Sequence, residues 1–295
     1  MSAPPRLFDL SLRRLRLRRA AAGFESFLKD RAAVDIVERL AGINRRFPIA
    51  VDLGARTGSL RRAMKAGSAK VDWLVESDLT AAMLAEGPRL VADPARPPFA
   101  DASLNLVVSA LDLHWVDDLV GALIQIRRGL KPDGLFIGAL IGGSSLTELR
   151  QCLTEAEIAV RGGAGPRISP LLDPFDGAAL LQRAGFALPV ADVETVTVRY
   201  SHPFRLLADL RAMAEGSALI DRPPLPLTRA ILDKMAALYG ERFAEPDGRI
   251  PARFDIVTLT GWAPHPDQQQ PLAPGSAKMR LADALKTREH PLKEH

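Results

Sequence analysis

The chain has 295 residues, 47% hydrophobic and 25% charged, with a formal net charge of +4. That composition is ordinary for a globular protein, leaves enough apolar residues for a sizeable core, and contains no run approaching the roughly 18 apolar residues of a membrane-spanning helix. The single Cys152 excludes an internal disulfide framework and a thiolate zinc cluster, and fits a reducing, cytosolic compartment.

The charge is unevenly distributed. Arg6, Arg13, Arg14, Arg16, Arg18 and Arg19 cluster near the start against the single acid Asp9. Three readings are open: a solvated helix face, a docking surface for an acidic or nucleic-acid partner, or an Arg-rich transit peptide. No apolar segment of secretory type follows these arginines. Base stacking would want aromatics among them, and with only Phe8 and Phe24 nearby nucleic acid is disfavoured.

Phe24, Phe27, Leu28, Val34, Val37 and Leu40 fall near a 3.6-residue period and predict a helix over 24–41, ended by Gly42 and Asn44. Strands are expected at 49–53, 71–75, 89–92, 104–109 and 135–141. Helices are expected between them at 57–66, 80–85 and 119–130. Lys131-Pro-Asp-Gly134 reads as a turn in which proline presets φ and glycine supplies positive φ. Strands alternating with helices argue for a parallel sheet covered on both faces.

The rhythm then changes. Helices are expected at 146–161, 175–184, 204–215 and 228–239, and strands at 193–200 and 253–262. A glycine loop lies at 162–166 and a proline-rich linker at 223–226. Residues 1–263 read as one domain, with helical insertions around 142–175 and 201–250 as candidate substrate caps. Arg150, Arg167 and His202 are candidate substrate contacts there; completing the core is the alternative. The tail 264–295 is rich in Pro, Gln and charge and is expected to be largely flexible.

The chemistry-bearing residues lie at strand ends. In Ile49-Ala-Val-Asp-Leu-Gly-Ala-Arg-Thr-Gly58 an apolar run ends in Asp52 and leads into a glycine turn. Gly54 can take backbone angles other residues avoid and leaves no Cβ in a ligand's way; Gly58 lets the next helix pack near the strand. Asp78 ends the second strand. There a carboxylate can accept from both ribose hydroxyls of an adenosine ligand, or cap the following helix; Glu76 is its rival. Asp93 opens an Asp-Pro segment that a simple turn would also explain.

The spacing Asp-x-Gly-x-x-x-Gly resembles the first motif of class I S-adenosylmethionine-dependent methyltransferases, Asp/Glu-x-Gly-x-Gly-x-Gly, with Arg56 at the middle glycine. Asp93–Val108 resembles the family's Asp-Ala-x-x-Leu-Pro-Phe-x-Asp-x-Ser-Phe-Asp-Leu-Val, with Asn105 for the last Asp. The resemblance implies an α/β, Rossmann-like sheet of seven mostly parallel strands with a C-terminal antiparallel hairpin. It implies S-adenosylmethionine as cofactor, bound by Asp52, Gly54, Gly58, Asp78, Asp93 and Leu111, with Asp93 accepting from the adenine amino group. Ser109–Asp118 resembles the loop after strand four in methyltransferases of trans-aconitate and of the malonyl carrier-protein ester. His114 is there a candidate general base or a loop-orienting histidine. No metal cluster is expected, and no His/carboxylate facial triad stands out.

A longer series resembles the methyltransferase-like arginine-hydroxylase assembly factors of respiratory complex I and their bacterial relatives. It runs through Leu7-Phe-Asp-Leu10, Leu111–Leu119, Leu130–Gly138, Thr147-Glu-Leu-Arg150, Ile168-Ser-Pro170, Asp209–Met213 and Gly261-Trp262. The family segment Met-Gly-Glu-Ser-Asn reads here Met213-Ala-Glu-Gly-Ser217. This resemblance implies a substrate that is a small molecule or a protein, a complex I subunit included. It implies a cytoplasmic bacterial protein, peripheral at the inner membrane at most, or a matrix protein in a eukaryote. Methyl transfer, arginine hydroxylation and non-catalytic assembly chaperoning all remain open, since fold does not fix reaction.

Overall fold

The computed structural model describes residues 6–84, 87–268, 279, 281–284 and 286–287. By its internal contacts the chain divides into two units, Met1–Pro264 and His265–His295. The second holds one short helical turn at Leu281–Ala284; most of the tail expected to be flexible lies outside the described residues.

The first unit begins with α1 (Leu10–Ala20) and α2 (Phe27–Ala41). Then come β1 (Phe47–Leu53), α3 (Ser59–Ala66), β2 (Val71–Asp78), β3 (Arg89–Val91), β4 (Leu104–Ala110), α4 (Leu119–Gly129) and β5 (Leu130–Gly142). The later elements are α5 (Thr147–Arg161), α6 (Pro174–Arg183), β6 (Ala187–Tyr200), α7 (Pro203–Ala212), α8 (Arg229–Phe243) and β7 (Ile250–Trp262). The seven strands form one sheet in the order β3-β2-β1-β4-β5-β7-β6. The first five run parallel, and β7 is antiparallel to both β5 and β6. This is the expected architecture, with its antiparallel hairpin.

Period-two alternation sends side chains to opposite faces of the sheet. Ala50, Leu106, Val108 and Ile137 enter one core layer with residues of α2, α5, α7 and α8. Val51, Val107, Phe136 and Leu140 enter the other with α4 and α6. In α5 the buried Leu149, Cys152, Leu153 and Ala156 join the first layer, so this helix completes the core.

Several local expectations need correction. The helix expected at 80–85 is a single 3-10 turn at Ala81–Met83, and Ala85 lies outside the described residues. In the Lys131–Gly134 segment the positive φ belongs to Asp133 (64°). The β4–β5 register jumps from Leu104↔Leu130 to Leu106↔Leu135 around it, so the turn is an excursion within one long strand. Strand β6 begins six residues early; a register shift between Ala187 and Val190 hides its start from any alternation test.

Candidate functional site

The sheet order reverses between β1 and β4, and the crevice outside their carboxyl ends is where open α/β sheets receive ligands. The glycine loop after β1 is held there by its neighbours. Gly54 and Ala55 donate their N–H groups to Ser77 O at 2.8 and 2.9 Å, and Ser109 Oγ donates to Leu53 O at 2.9 Å. Gly54 (φ 78°) and Gly58 (φ 75°) both take the left-handed conformation that favours glycine. Arg56 (31°) and Thr57 (59°) do so as well, which for a β-branched threonine is strained.

Asp78 is buried at the end of β2. Its Oδ2 accepts from Arg56 N at 3.2 Å and its Oδ1 from Thr80 N at 3.4 Å. Burial, then the like charge of Asp112, pushes its carboxyl up to about 6. Glu76, the rival, is fully buried and ion-paired to Arg61 at 2.9 Å. Ala92 N donates to Asp78 O at 3.0 Å, so the segment carrying Asp93 starts beside Asp78. Asp93 Oδ1 accepts from Ala95 N at 3.0 Å, an Asx turn. A cleft of about 380 Å³ opens beside this strand end, lined by Leu79, Thr80, Ala81 and Val91 and rimmed by Arg14 and Arg18. Leu111 has φ 52°, its side chain lies in the core, and its N–H donates to Ala139 O at 2.8 Å.

The centre of the site is a buried charge cluster that the sequence did not announce. Arg56 is 2% exposed, so its side chain turns inward. It pairs with Asp112 and, at 3.0 Å, with Glu215. Arg13 of α1 is also buried, 3.5 Å from Glu215 and 3.9 Å from Asp112, with its guanidinium 4.1 Å from the Trp115 ring centre. The solvated-face reading therefore fails for Arg13, while Arg14, Arg18 and Arg19 are exposed. Trp115 Nε1 and His114 Nε2 donate to Glu215 Oε2 at 3.0 and 3.1 Å. Burial opposes ionisation of Glu215, but His114, Arg13 and Arg56 hold its carboxyl well below the usual range. Since the carboxylate only accepts, His114 carries its proton on Nε2, and its buried Nδ1 has no partner.

Lys29 reaches in from α2. Its Nζ donates to Gly54 O at 2.5 Å and to Ala110 O. Asp52 is fully buried with neither carboxylate oxygen hydrogen-bonded. Burial pushes its carboxyl up to about 7; Lys29 opposes the shift, and Glu76, Asp78 and Asp112 add to it. Asp112 lies directly over Gly54, where a β-carbon would come within 2.6 Å of its Oδ2.

The start of the chain covers this cluster. Leu7 N and Phe8 N donate to Asp117 Oδ1, both at 2.9 Å. Phe8 meets Trp115 edge-on at 5.1 Å, and Asp9 N donates to Ala218 O at 2.8 Å. The expected substrate contacts are not gathered here. Arg167 pairs with Glu157 at 2.6 Å, Arg150 lines a separate small cavity with Arg167, and His202 caps α7 by accepting from Phe204 N at 3.3 Å. Among the described residues no group of three or more His, Cys, Asp or Glu is disposed to hold a metal ion.

Fold and crevice together define a class I methyltransferase, and residues 51–138 match the methyltransferase domain family. A putative methyltransferase structure from Bacillus halodurans superposes with a TM-score of 0.54 at 14% identity, over 79% of this chain and 99% of that one. The chain is 35% identical to the mitochondrial arginine-hydroxylase NDUFAF5 of Danio rerio, over 95% of this chain and 90% of that protein. It is 32% identical to the malonyl-[acyl-carrier protein] O-methyltransferase of Halorhodospira halophila, over 80% and 81%. The chain belongs to the NDUFAF5 family, within the S-adenosylmethionine-dependent methyltransferase class.

The residues present suit that cofactor. The buried Asp78 carboxylate suits the hydroxyls of a nucleoside, and a cleft lined by the residues after it, though by none of the six expected cofactor residues, opens at the same strand end. At the other end the glycine hollow holds Asp112, and the unbonded Asp52 leaves a buried acceptor to be satisfied.

Proposed function

We propose that this chain uses S-adenosylmethionine to methylate a carboxylate or a protein side chain. The observation that carries the reading is the buried Asp78 carboxylate at the end of β2, which accepts from Arg56 N in the left-handed glycine loop, with an open cleft lined by the residues that follow it, Leu79, Thr80, Ala81 and Ala82. In this reading Asp78 receives the ribose hydroxyls, Asp93 the adenine amino group, and Gly54, Gly58, Asp52 and the Leu111 backbone line the amino-acid end. When bound, the cofactor supplies an electrophilic methyl group. The chain's own contribution is to hold the acceptor in line and exclude water, and that orientation lowers most of the barrier. A carboxylate acceptor has no proton to lose; where the acceptor is a protonated side chain, His114 is the candidate to take its proton, through its unpartnered Nδ1.

Two features favour a second reading, arginine hydroxylation during complex I assembly. One is the name of the NDUFAF5 relatives. The other is that Asp112 and Glu215 already grip a guanidinium, that of Arg56. A non-catalytic assembly chaperone is the third. A complex I subunit as partner, and residence in the bacterial cytoplasm or at its inner membrane face, or in the matrix of a eukaryote, belong to the same proposal. Among the described residues no helix is long and apolar enough to cross a membrane. Mass spectrometry of complex I subunits from a deletion strain separates the readings. Loss of a mark with the mass of one methylene supports methylation, loss of one oxygen supports hydroxylation, and an unchanged subunit favours a different substrate or the chaperone.

A further inference from the structure

A second concave feature lies on α5, away from the cofactor residues. Arg150, Thr154, Glu157 and Arg161 fall at i, i+4, i+7 and i+11 of this helix, one stripe along its surface. The chain after the helix folds back, and Gly165, Pro166, Arg167 and Ile168 close a cavity of about 170 Å³ against Arg150, Leu153 and Thr154. That is room for several waters or one polyatomic anion. The proline-rich linker holds the arrangement from outside, since Arg167 donates to Leu225 O and Arg161 to Pro226 O. The charges here do not balance. Glu157 is a single buried carboxylate between two guanidinium groups, Arg167 at 2.6 Å and Arg161 at 3.2 Å. The other acids of α5 serve elsewhere: Glu148 pairs with Arg253 and Glu155 with Arg242, both at 2.6 Å. Among the described residues the exposed Arg150 guanidinium and the Thr154 hydroxyl have no hydrogen-bond or ion-pair partner. Arg150 also stands in the first turn of α5, where the helix dipole disfavours a cation, so it does not serve the helix. Three guanidinium groups thus share one carboxylate around a small cavity.

We propose that this cavity is a binding site for a doubly charged anionic group, a phosphate monoester. Guanidinium groups offer paired N–H donors that match phosphate oxygens, and the Thr154 hydroxyl can donate a further bond. Arg150 is the capturing group. Arg167 is the fixed one: its Nε and Nη2 are held by Glu157 and Leu225 O, which leaves Nη1 for a ligand. A dianion brings the group to neutrality, because it offsets the two positive charges that Glu157 leaves uncompensated. The phosphate can be carried by a free small ester or by a phosphorylated protein side chain. None of the residues assigned to S-adenosylmethionine lines the cavity, so the proposal goes beyond the cofactor reading and does not depend on it.

The test is equilibrium dialysis of the full chain against radiolabelled inorganic phosphate, with ionic strength held constant by chloride. Saturable binding of one phosphate per chain is expected, displaced by sulfate and not by S-adenosylmethionine. Arg150→Gln removes no hydrogen bond or ion pair of the fold, so its urea midpoint should match wild type while phosphate binds about tenfold to a hundredfold more weakly. Thr154→Val should weaken it in the same direction by less. Glycerol phosphate and a short phosphoserine peptide, used as competitors, tell a free ester from a protein-borne one: the source is the class that displaces the label at the lower concentration. Absence of saturable binding overturns the proposal, and so does binding that Arg150→Gln leaves unchanged. Displacement of phosphate by S-adenosylmethionine would place the ion in the cofactor crevice instead, overturning this site while leaving the cofactor reading standing.

Discussion

At the scale of single residues, the site is a cluster of buried charges whose protonation bears on stability. Asp52 and Asp78 have carboxyls raised to about 7 and about 6 from an ordinary value of 3.8. For a raised acid the native state binds its proton more tightly than the unfolded chain, so the stabilisation is complete below the unfolded value and is lost as pH rises through the folded one. Asp112 and Glu215 are shifted the other way, and their contribution is lost as pH falls below the ordinary carboxylate range. Ligand-free protein should therefore be most stable between about pH 4 and 6 and lose stability toward pH 8. Asp52→Asn should flatten the loss between pH 5 and 8. Urea denaturation across that range measures it, and a variant with the wild-type slope would mean that Asp52 is not protonated in the native state.

Residue identity explains why this cluster was hidden in the sequence. Gly54, Gly58 and Asp78 are legible because strand ends and glycine turns are local signals. The partners of Arg56 are not. Asp112 lies 56 residues away and Glu215 lies 159 away, while Arg13 meets Glu215 across 202. An arginine among arginines at a helix start reads as solvated unless its spacing to the buried Leu17 and Ala20 is noticed; Arg13, Leu17 and Ala20 lie at i, i+4 and i+7, one face of a helix. That spacing was the available signal.

At the scale of elements, α1 belongs to the site. Its buried face brings Arg13 to Glu215, and the chain start is pinned to the loops after β4 and α7. The strand pattern begins only at Ile49, so from the sequence, removal of residues 1–19 should leave the sheet folded and impair partner binding more than cofactor binding. The packing predicts otherwise. The truncated chain should keep its far-ultraviolet strand signal yet bind S-adenosylmethionine at least about tenfold more weakly, because a charged hydrogen bond is worth about 1.5–3 kcal/mol. Unchanged affinity by calorimetry would remove α1 from the site.

The loop after α5 separates two glycines that look equivalent in sequence. A β-carbon on Gly163 meets nothing within 4 Å, whereas on Gly165 it collides with the Pro223 ring. Gly163→Ala should change stability by no more than about 0.5 kcal/mol, and Gly165→Ala should cost about 1–3 kcal/mol as an overpacked contact. Equal values in urea denaturation would mean that the loop is not packed against the proline-rich linker.

At the scale of the whole molecule, the sheet order puts β1, β2 and β4 side by side, so Asp52, Asp78 and the segment beyond Ala110 converge from distant parts of the chain. This much was legible, because buried parallel strands are short apolar runs between helices. The antiparallel edge was less so, since β6 is interrupted by a register shift, and β5 carries its turn inside the strand. The central claim is that this convergence binds S-adenosylmethionine through Asp78. Calorimetric titration of the cofactor into wild-type protein and Asp78→Ala tests it most directly. A fall in affinity of about tenfold to a hundredfold or more is expected from losing one or two hydrogen bonds to a carboxylate; an unchanged affinity in a folded variant would contradict the claim.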